Sequence, residues 1–240
     1  MALFAVWQVV VDVLHVRTLI LPSPLSILRA LADQPAWFLQ EGLYTLGTTL
    51  AGFALAVAVG IVLAILIVEV RLLENTLYVL IVACNSVPKV AIAPLFVIWL
   101  GTGVGPKVAI AFLIAFFPIV IDTVLGLKSV SRDMLDLAAT MHGGRLDLFW
   151  RIRLPSALPS VFAGMKVGIS LALVGAIVGE FVASDHGLGY IILTAQGTFE
   201  TAQIFAANLL LGVAGIVLFG IMALAERRLL PWHASQRQEA

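Results

Sequence analysis

The sequence predicts an all-α protein that crosses a membrane about six times. Of its 240 residues, 61% are hydrophobic and 12% are charged. A soluble globular domain would have an apolar share nearer one half and a charged share of about a quarter. The apolar residues also lie in long runs, and most of the charges lie between those runs. These observations indicate a polytopic membrane protein.

Six apolar segments are candidate membrane spans, although the first is shorter than the roughly 20 residues that a crossing helix needs. Pro88 and Pro94 predict kinks in the third segment, since a proline removes one hydrogen bond of the helix. Gly52, Ala56 and Gly60 recur every four residues in the second segment and predict a close helix–helix contact. The six segments are residues 1–14, 44–68, 76–100, 108–126, 162–183 and 204–224.

The chain divides into three parts around these spans. Residues 1–43 hold the short first helix and an external amphipathic segment, which follows the prolines at 22 and 24. Residues 44–233 form the membrane core, and residues 234–240 form a tail. Within the core, the glycine turn at 184–190 predicts a half-helix that reaches residue 200 and is too short to cross.

The polar stretch 127–160 is the most informative part of the sequence. Asp133 and Asp136 favour a short helix over 133–141, because negative charge in a first turn meets the positive end of the helix dipole. Gly143 and Gly144 then allow a reversal of the chain. A second helix is predicted to end at Pro155, with an apolar face made of Leu146, Phe149, Trp150 and Ile152. The alternative is a pair of ordinary amphipathic helices lying on lipid headgroups.

Basic residues orient the chain by the positive-inside rule. One side has Arg17, Arg29 and Lys107. The other has more, and we expect it to be cytoplasmic, together with both termini: Arg71, Lys128, Arg132, Arg145, Arg151, Arg153, Arg227, Arg228 and Arg237.

The loop also carries a spaced pattern. Asp136 is followed by the small residues Ala138 and Ala139, by His142-Gly143-Gly144-Arg145, and by the ending Ile152-Arg-Leu154-Pro155. This pattern resembles the EAA loop of ABC-importer permeases. Two positions depart from it, because Leu137 replaces an alanine and His142 stands at the usual glycine position.

Further motifs in the same order resemble the permeases of the nitrate, sulfonate and taurine group: Leu21-Pro-Ser-Pro24, Val87-Pro-Lys-Val-Ala-Ile-Ala-Pro94, Leu154-Pro-Ser-Ala-Leu-Pro159 and Gly187-Leu-Gly-Tyr190. The resemblance implies a type I ABC importer permease fold with a cytoplasmic coupling-helix loop, in a bacterial inner membrane. It also implies a homodimer, two ATPase subunits that hold ATP and Mg, and an external solute-binding protein. The ATPase would contact Asp136, Ala138, Ala139, His142, Gly143, Gly144 and Arg145.

The intramembrane charges suggest where a solute passes. Lys89, with Ser86, is a candidate for the substrate path and would favour an anionic solute, such as a sulfonate, taurine or nitrate; a vitamin precursor is also compatible with the family. Equally, Lys89 could pair structurally with Asp122 or Glu180, or lie near an interface. Asp122 and Lys166 are expected to be structural, and Glu180 to cap the amides of the turn that follows it.

Other functions are less well supported. An ion-coupled secondary transporter is the main alternative, although we find no convincing internal repeat. We find no zinc-peptidase or nucleophile-elbow pattern, and residues 101–107 only superficially resemble a phosphate-binding loop. We therefore expect no catalytic residue, metal site or cofactor in this chain, and the zero net charge gives no reason to expect nucleic-acid binding.

Overall fold

The computed structural model describes residues 2–15, 17–131, 134 and 144–231, and the regular elements in these residues are helices. In chain order they are α1 (Ala2–Val13), α2 (Pro24–Asp33), α3 (Pro35–Glu69), α4 (Arg71–Asn85), a 3₁₀ helix (Lys89–Ile92), α5 (Ala93–Leu100), α6 (Val104–Lys128), α7 (Arg145–Leu148), a π-helical turn (Phe149–Arg153), α8 (Leu154–Ala183), α9 (Leu188–Gly197) and α10 (Thr201–Leu229).

Four of the described helical segments are long and apolar enough to cross a membrane: Pro35–Glu69, Val104–Lys128, Phe149–Ala183 and Thr201–Leu229. Residues Leu72–Asn85 and Lys89–Leu100 would add a fifth crossing if this bent pair counts as one span. The structure therefore gives four or five apolar spans where the sequence predicts about six. α1 accounts for part of the difference, because its 12 residues make a helix of about 18 Å against a hydrocarbon core of about 30 Å.

The predicted third span is broken rather than kinked. Its two halves meet at 87°, and Pro88 lies between them in an extended conformation. Since proline cannot donate a backbone hydrogen bond, the helix ends before it. The kink predicted at Pro94 is wrong, because Pro94 lies in the first turn of α5, where a missing amide proton has no consequence.

Small residues bring α3, α6 and α8 together in the centre of the molecule. A Cβ atom at Gly52 would lie 2.5 Å from Ala111 Cβ, and one at Gly175 would lie 2.7 Å from Ala111 Cα. Ala56 is fully buried, and a Cβ atom at Gly60 would lie 3.1 Å from Ile119. The small-residue stripe predicted from the sequence is therefore confirmed as a packing face.

The helix that the sequence predicts to end at Pro155 is continuous with α8. Residues Phe149–Ala183 form one helical segment of 35 residues, so the predicted stop at Pro155 is wrong. The π-helical turn directly before it bonds Leu154 N–H to Phe149 O, and Pro155 lies in the first turn of α8. A proline is tolerated there because that turn needs no intrahelical donor.

Two predicted short helices are confirmed away from the loop. α2 is capped by Ser23, whose Oγ accepts from Ser26 N at 3.2 Å, and α9 has 10 residues. α3 begins at Pro35, earlier than the predicted start of this span at residue 44. We call the side where α6 ends and α8 begins the loop end, and the side where α3 and α6 begin the far end.

Candidate coupling surface and buried polar sites

The predicted coupling loop rests on a small apolar core at the loop end. Leu127 of α6, Phe149 of the π-helical turn and Ala157 of α8 are buried against each other. Ile65 and Val68 of α3 pack on the same cluster. The two chain segments that lead into and out of the loop are therefore packed on the same end of α3.

Two ion pairs join this base to neighbouring helices. Arg153 Nη1 lies 3.3 Å from Glu69 Oε1 at the end of α3, and Lys128 Nζ lies 2.8 Å from Glu74 Oε1 of α4. Lys128 Nζ also lies 5.0 Å from the centre of the Tyr78 ring. These contacts join both ends of the loop to α3 and α4.

The segment after the loop presents an exposed polar and aromatic face. The Trp150 side chain is 59% exposed, while Asp147 and Arg151, which lie 3.6 Å apart, are 62% and 82% exposed. The sequence predicts an apolar face that includes Phe149 and Trp150. In the structure Phe149 is buried and Trp150 is exposed, and their ring centres lie 5.6 Å apart.

Most of the predicted ATPase-contacting residues lie outside the described residues: Asp136, Ala138, Ala139, His142 and Gly143. The predicted helix over 133–141 also lies there, apart from Met134. Gly144 and Arg145 are described, and Gly144 O accepts from Leu148 N at 3.0 Å as α7 begins at Arg145. Their role in binding an ATPase stays a prediction.

The predicted substrate-path residues lie at the break between α4 and α5. Ser86 is exposed at the end of α4, whereas Lys89 is half-buried. Lys89 Nζ donates to the backbone oxygen and to Oδ1 of Asn85, both at 2.8 Å. It also lies 4.4 Å from the centre of the Phe117 ring. Among the described residues, the partners of Lys89 are therefore Asn85 and Phe117 rather than Asp122 or Glu180.

A second group of polar residues, which we call the far-end cluster, lies among the far ends of α3, α6 and α8. It consists of Glu41, Thr45, Lys107 and Glu180, each at most 4% exposed. Glu180 Oε1 accepts from Thr45 Oγ1 at 2.8 Å, and Glu180 Oε2 accepts from Gly189 N at 2.8 Å. The prediction that Glu180 caps the following amides is confirmed.

Glu41 and Thr45 were not predicted as site residues from the sequence. The signal that could have found them is a helix-spaced polar stripe, because Glu41, Thr45, Thr48 and Thr49 fall on one face once α3 begins at Pro35. Lys107, the last residue of the 101–107 stretch, lies within α6, and its Nζ donates to Thr102 O and Gly103 O.

The two remaining intramembrane charges lie nearer the loop end. Lys166 Nζ of α8 lies 2.7 Å from Glu226 Oε2 of α10, which supports a structural role. Asp122 packs directly on α8, since a Cβ atom at Gly164 would lie 2.9 Å from Asp122 Cβ.

The family follows from comparison of the whole chain with known proteins. Residues 42–231 match the family described as the binding-protein-dependent transport system inner membrane component. The chain belongs to this family. It is therefore an ABC-importer permease, and ATP is hydrolysed on a separate ATPase subunit rather than in this chain. The alternative of an ion-coupled secondary transporter is not retained.

Similar proteins include several named permeases. The formylaminopyrimidine transport permease protein ThiX of Halalkalibacterium halodurans is 35% identical, with 98% of this chain and 94% of that protein covered. The riboflavin transport system permease protein RibX of Chloroflexus aurantiacus is 38% identical, with 98% and 88% covered. The taurine transport system permease protein TauC of Escherichia coli is 28% identical, with 96% and 86% covered.

The fold matches a solved ABC transporter. A chain of the methionine transporter MetNI, in an inward-facing conformation, superposes with a TM-score of 0.66 at 16% sequence identity. The match covers 83% of this chain and 97% of that chain. The predicted type I importer permease fold is therefore confirmed.

Proposed function

We propose that two copies of this chain form the membrane pathway of a bacterial importer, with two ATPase subunits on the cytoplasmic side and a solute-binding protein outside. ATP and Mg would be held by the ATPase subunits. The family match over residues 42–231 is the observation that carries this proposal. We also propose that the loop end faces the cytoplasm of a bacterium, that both termini lie there, and that the membrane is the inner one.

The site proposed for ATPase contact is the loop around Asp136, Ala138, Ala139, His142, Gly143, Gly144 and Arg145. The contacts at the base of this loop support the assignment, because ion pairs join Arg153 to Glu69 and Lys128 to Glu74. A loop on such a base can transmit force to the membrane helices. The cavity between the two permease copies can change from inward-facing to outward-facing in response to ATP only if the loop binds two ATPase states unequally, since only differential affinity shifts a conformational equilibrium.

Co-purification of the ATPase with permease variants tests this site. We expect Asp136→Lys and Arg145→Glu to abolish recovery of the ATPase subunit and ATP-dependent uptake. Arg29→Glu serves as a charge-matched control, because Arg29 is exposed on α2, away from the loop end. Full ATPase recovery with both loop variants would place the contact elsewhere.

We propose a small heteroaromatic vitamin precursor as the solute. The support is that ThiX and RibX, named for formylaminopyrimidine and riboflavin, are 35% and 38% identical to this chain, against 28% for the taurine permease TauC. An anionic solute such as a sulfonate, taurine or nitrate, passing Ser86 and Lys89, is the second candidate. It has less support because Asn85 already accepts two hydrogen bonds from Lys89 Nζ.

Competition for uptake separates the two solute classes. Proteoliposomes containing the permease, its ATPase and its binding protein would be given labelled formylaminopyrimidine. We expect saturable, ATP-dependent uptake that unlabelled riboflavin or related pyrimidines reduce and that taurine does not. Uptake of labelled taurine without uptake of the pyrimidine would reverse the assignment.

A further inference from the structure

The first amide groups of α9 are bound by side chains from two other helices. Gly187 N–H donates to Glu41 Oε2. Leu188 N donates to Thr45 Oγ1 at 2.9 Å, and Gly189 N donates to Glu180 Oε2 at 2.8 Å. Helix N-termini have amide groups without intrahelical partners and a partial positive charge. In this protein, side chains of α3 and α8 accept hydrogen bonds from these amides, and two of those side chains are carboxylates that lie next to the partial positive charge.

The carboxylates of Glu41 and Glu180 are buried, and these amides are among their hydrogen-bond donors. Glu180 is 0% and Glu41 is 4% exposed, and Lys107 Nζ donates to Thr102 O and Gly103 O. His186 Nδ1 lies 3.4 Å from Glu41 Oε1. If α9 moved away, buried carboxylate oxygens would lose charge-assisted hydrogen bonds, which is more costly than losing neutral ones. The far-end cluster therefore favours α9 staying attached to α3 and α8.

Glycine is required at the contact itself. Gly187 has φ +103°, and a Cβ atom there would lie 2.3 Å from Glu180 Cδ. A Cβ atom at Gly189 would lie 2.9 Å from Glu180 Cβ. Both glycines let the α9 backbone approach the carboxylate of Glu180 directly.

Glu180 and the loop end are parts of one continuous helical segment. Phe149–Ala183 has 35 residues and is about 50 Å long at 1.5 Å per residue. Its loop end carries Phe149 and Arg153, which anchor the coupling loop, and its far end carries Glu180. α9 also packs on both neighbours, with Leu188 and Ile191 in a buried cluster that includes Phe38 of α3 and Leu173 of α8.

We propose that Glu180, with Glu41 and Thr45, is a positioning residue for transport: it makes α9 move with α8, so that a displacement of the coupling loop reaches the far face. This rests on the proposed contact between the loop and the ATPase. Thr45 has a double role, since its Oγ1 accepts from Leu188 N and donates to Glu180 Oε1.

The first test measures attachment of α9 and requires no transport. Ile191 is 0% exposed, and a cysteine there is smaller and does not overpack the site. In a Cys84→Ala background in nanodiscs, we expect Ile191→Cys to resist a hydrophilic maleimide. Adding Thr45→Val removes the hydrogen bond from Thr45 Oγ1 to Glu180 and should speed labelling roughly tenfold, the factor for one lost hydrogen bond to a charged group. Adding Glu180→Gln removes the charge from the remaining hydrogen bonds and should also speed labelling.

Two controls match these variants. Thr45→Ser keeps the hydroxyl and should preserve protection, while Glu200→Gln changes an exposed carboxylate beyond the other end of α9 and should have no effect. If Ile191→Cys stays protected in both Thr45→Val and Glu180→Gln, the far-end cluster does not hold α9 and the proposal fails.

The second test measures coupling in the reconstituted complex. For Thr45→Val we expect solute uptake per ATP hydrolysed to fall by about tenfold, with ATP hydrolysis retained and with rescue by Thr45→Ser. A merely structural role would lower uptake and ATP hydrolysis together, and this result would overturn the proposal. Failure of the proposed function would differ, because the unmodified complex would then show no ATP-dependent uptake.

Discussion

Single glycines allow close helix–helix contacts in this protein, and replacing one of them by alanine tests such a contact. Gly175→Ala should destabilise the chain by about 1–3 kcal/mol, because overpacking forces backbones apart; its Cβ atom would lie 2.7 Å from Ala111 Cα. Gly212→Ala is the control, since a Cβ atom there meets nothing within 4 Å. Thermal unfolding in detergent measures both, and equal midpoints would contradict the predicted contact.

For Lys89, a structural role and a solute-binding role predict opposite effects of substitution on the kinetics of uptake. Lys89→Met removes two hydrogen bonds to Asn85 and the contact with Phe117. If its role is to stabilise the break, the maximal uptake rate should fall while the apparent affinity for solute stays unchanged. Uptake measured over a range of solute concentrations decides this. A weaker apparent affinity at an unchanged maximal rate would indicate instead that Lys89 contacts the solute.

Residue-level chemistry was predictable from the sequence where a local pattern determines it. Glu180 lies just before a glycine turn, so its capping of following amides could be inferred. Glu41 could not be assigned in the same way, since its partners His186 and Gly187 are far along the chain. The π-helical turn at Phe149–Arg153 was not predicted, because hydrophobic spacing does not distinguish it from an α-helix.

At the scale of elements, α8 and α10 are joined by a half-buried ion pair. Lys166 and Glu226 lie 2.7 Å apart with side chains 24% and 19% exposed. A double-mutant cycle with Lys166→Met and Glu226→Gln should give a coupling energy of about 1 kcal/mol, because each single change leaves a partly buried charge without its partner. The same cycle on the exposed Asp147–Arg151 pair should give a much smaller coupling. Equal couplings would contradict the expected effect of burial.

Helix positions were predictable from hydropathy, but several helix ends were not. Long apolar runs identified α3, α6, α8 and α10, since a bilayer requires such lengths. The start of α3 at Pro35, the break near Pro88 and the position of Pro155 in the first turn of α8 depend on hydrogen bonds and packing between elements. A proline therefore lies in the first turn of a helix at Pro35 and Pro155 and between two helices at Pro88, and its sequence neighbours alone do not distinguish these outcomes.

For the chain as a whole, the order of the spans and the position of the polar loop could be predicted, because the loop motif and the distribution of basic residues indicate the same topology. At the loop end, Lys128 and Arg153, two of the basic residues predicted to be cytoplasmic, pair with Glu74 and Glu69. The far-end cluster was not predicted as a unit, since it forms only when α3, α6, α8 and α9 come together.

The orientation of the chain in the membrane can be predicted from its basic residues. Positive charge is retained on the cytoplasmic side during insertion, so the loop end should be inside the cell and the far end outside. In a Cys84→Ala background, Phe199→Cys should react with a membrane-impermeant maleimide on spheroplasts with an intact inner membrane, and Trp150→Cys should react only after that membrane is permeabilised. Both native side chains are exposed, at 73% and 59%, so a difference in labelling reports the side of the membrane rather than burial.

Protease-sensitive tags on the two termini should both resist external protease. The reverse labelling pattern would also remove the proposed ATPase contact, because the coupling loop would then face away from ATP.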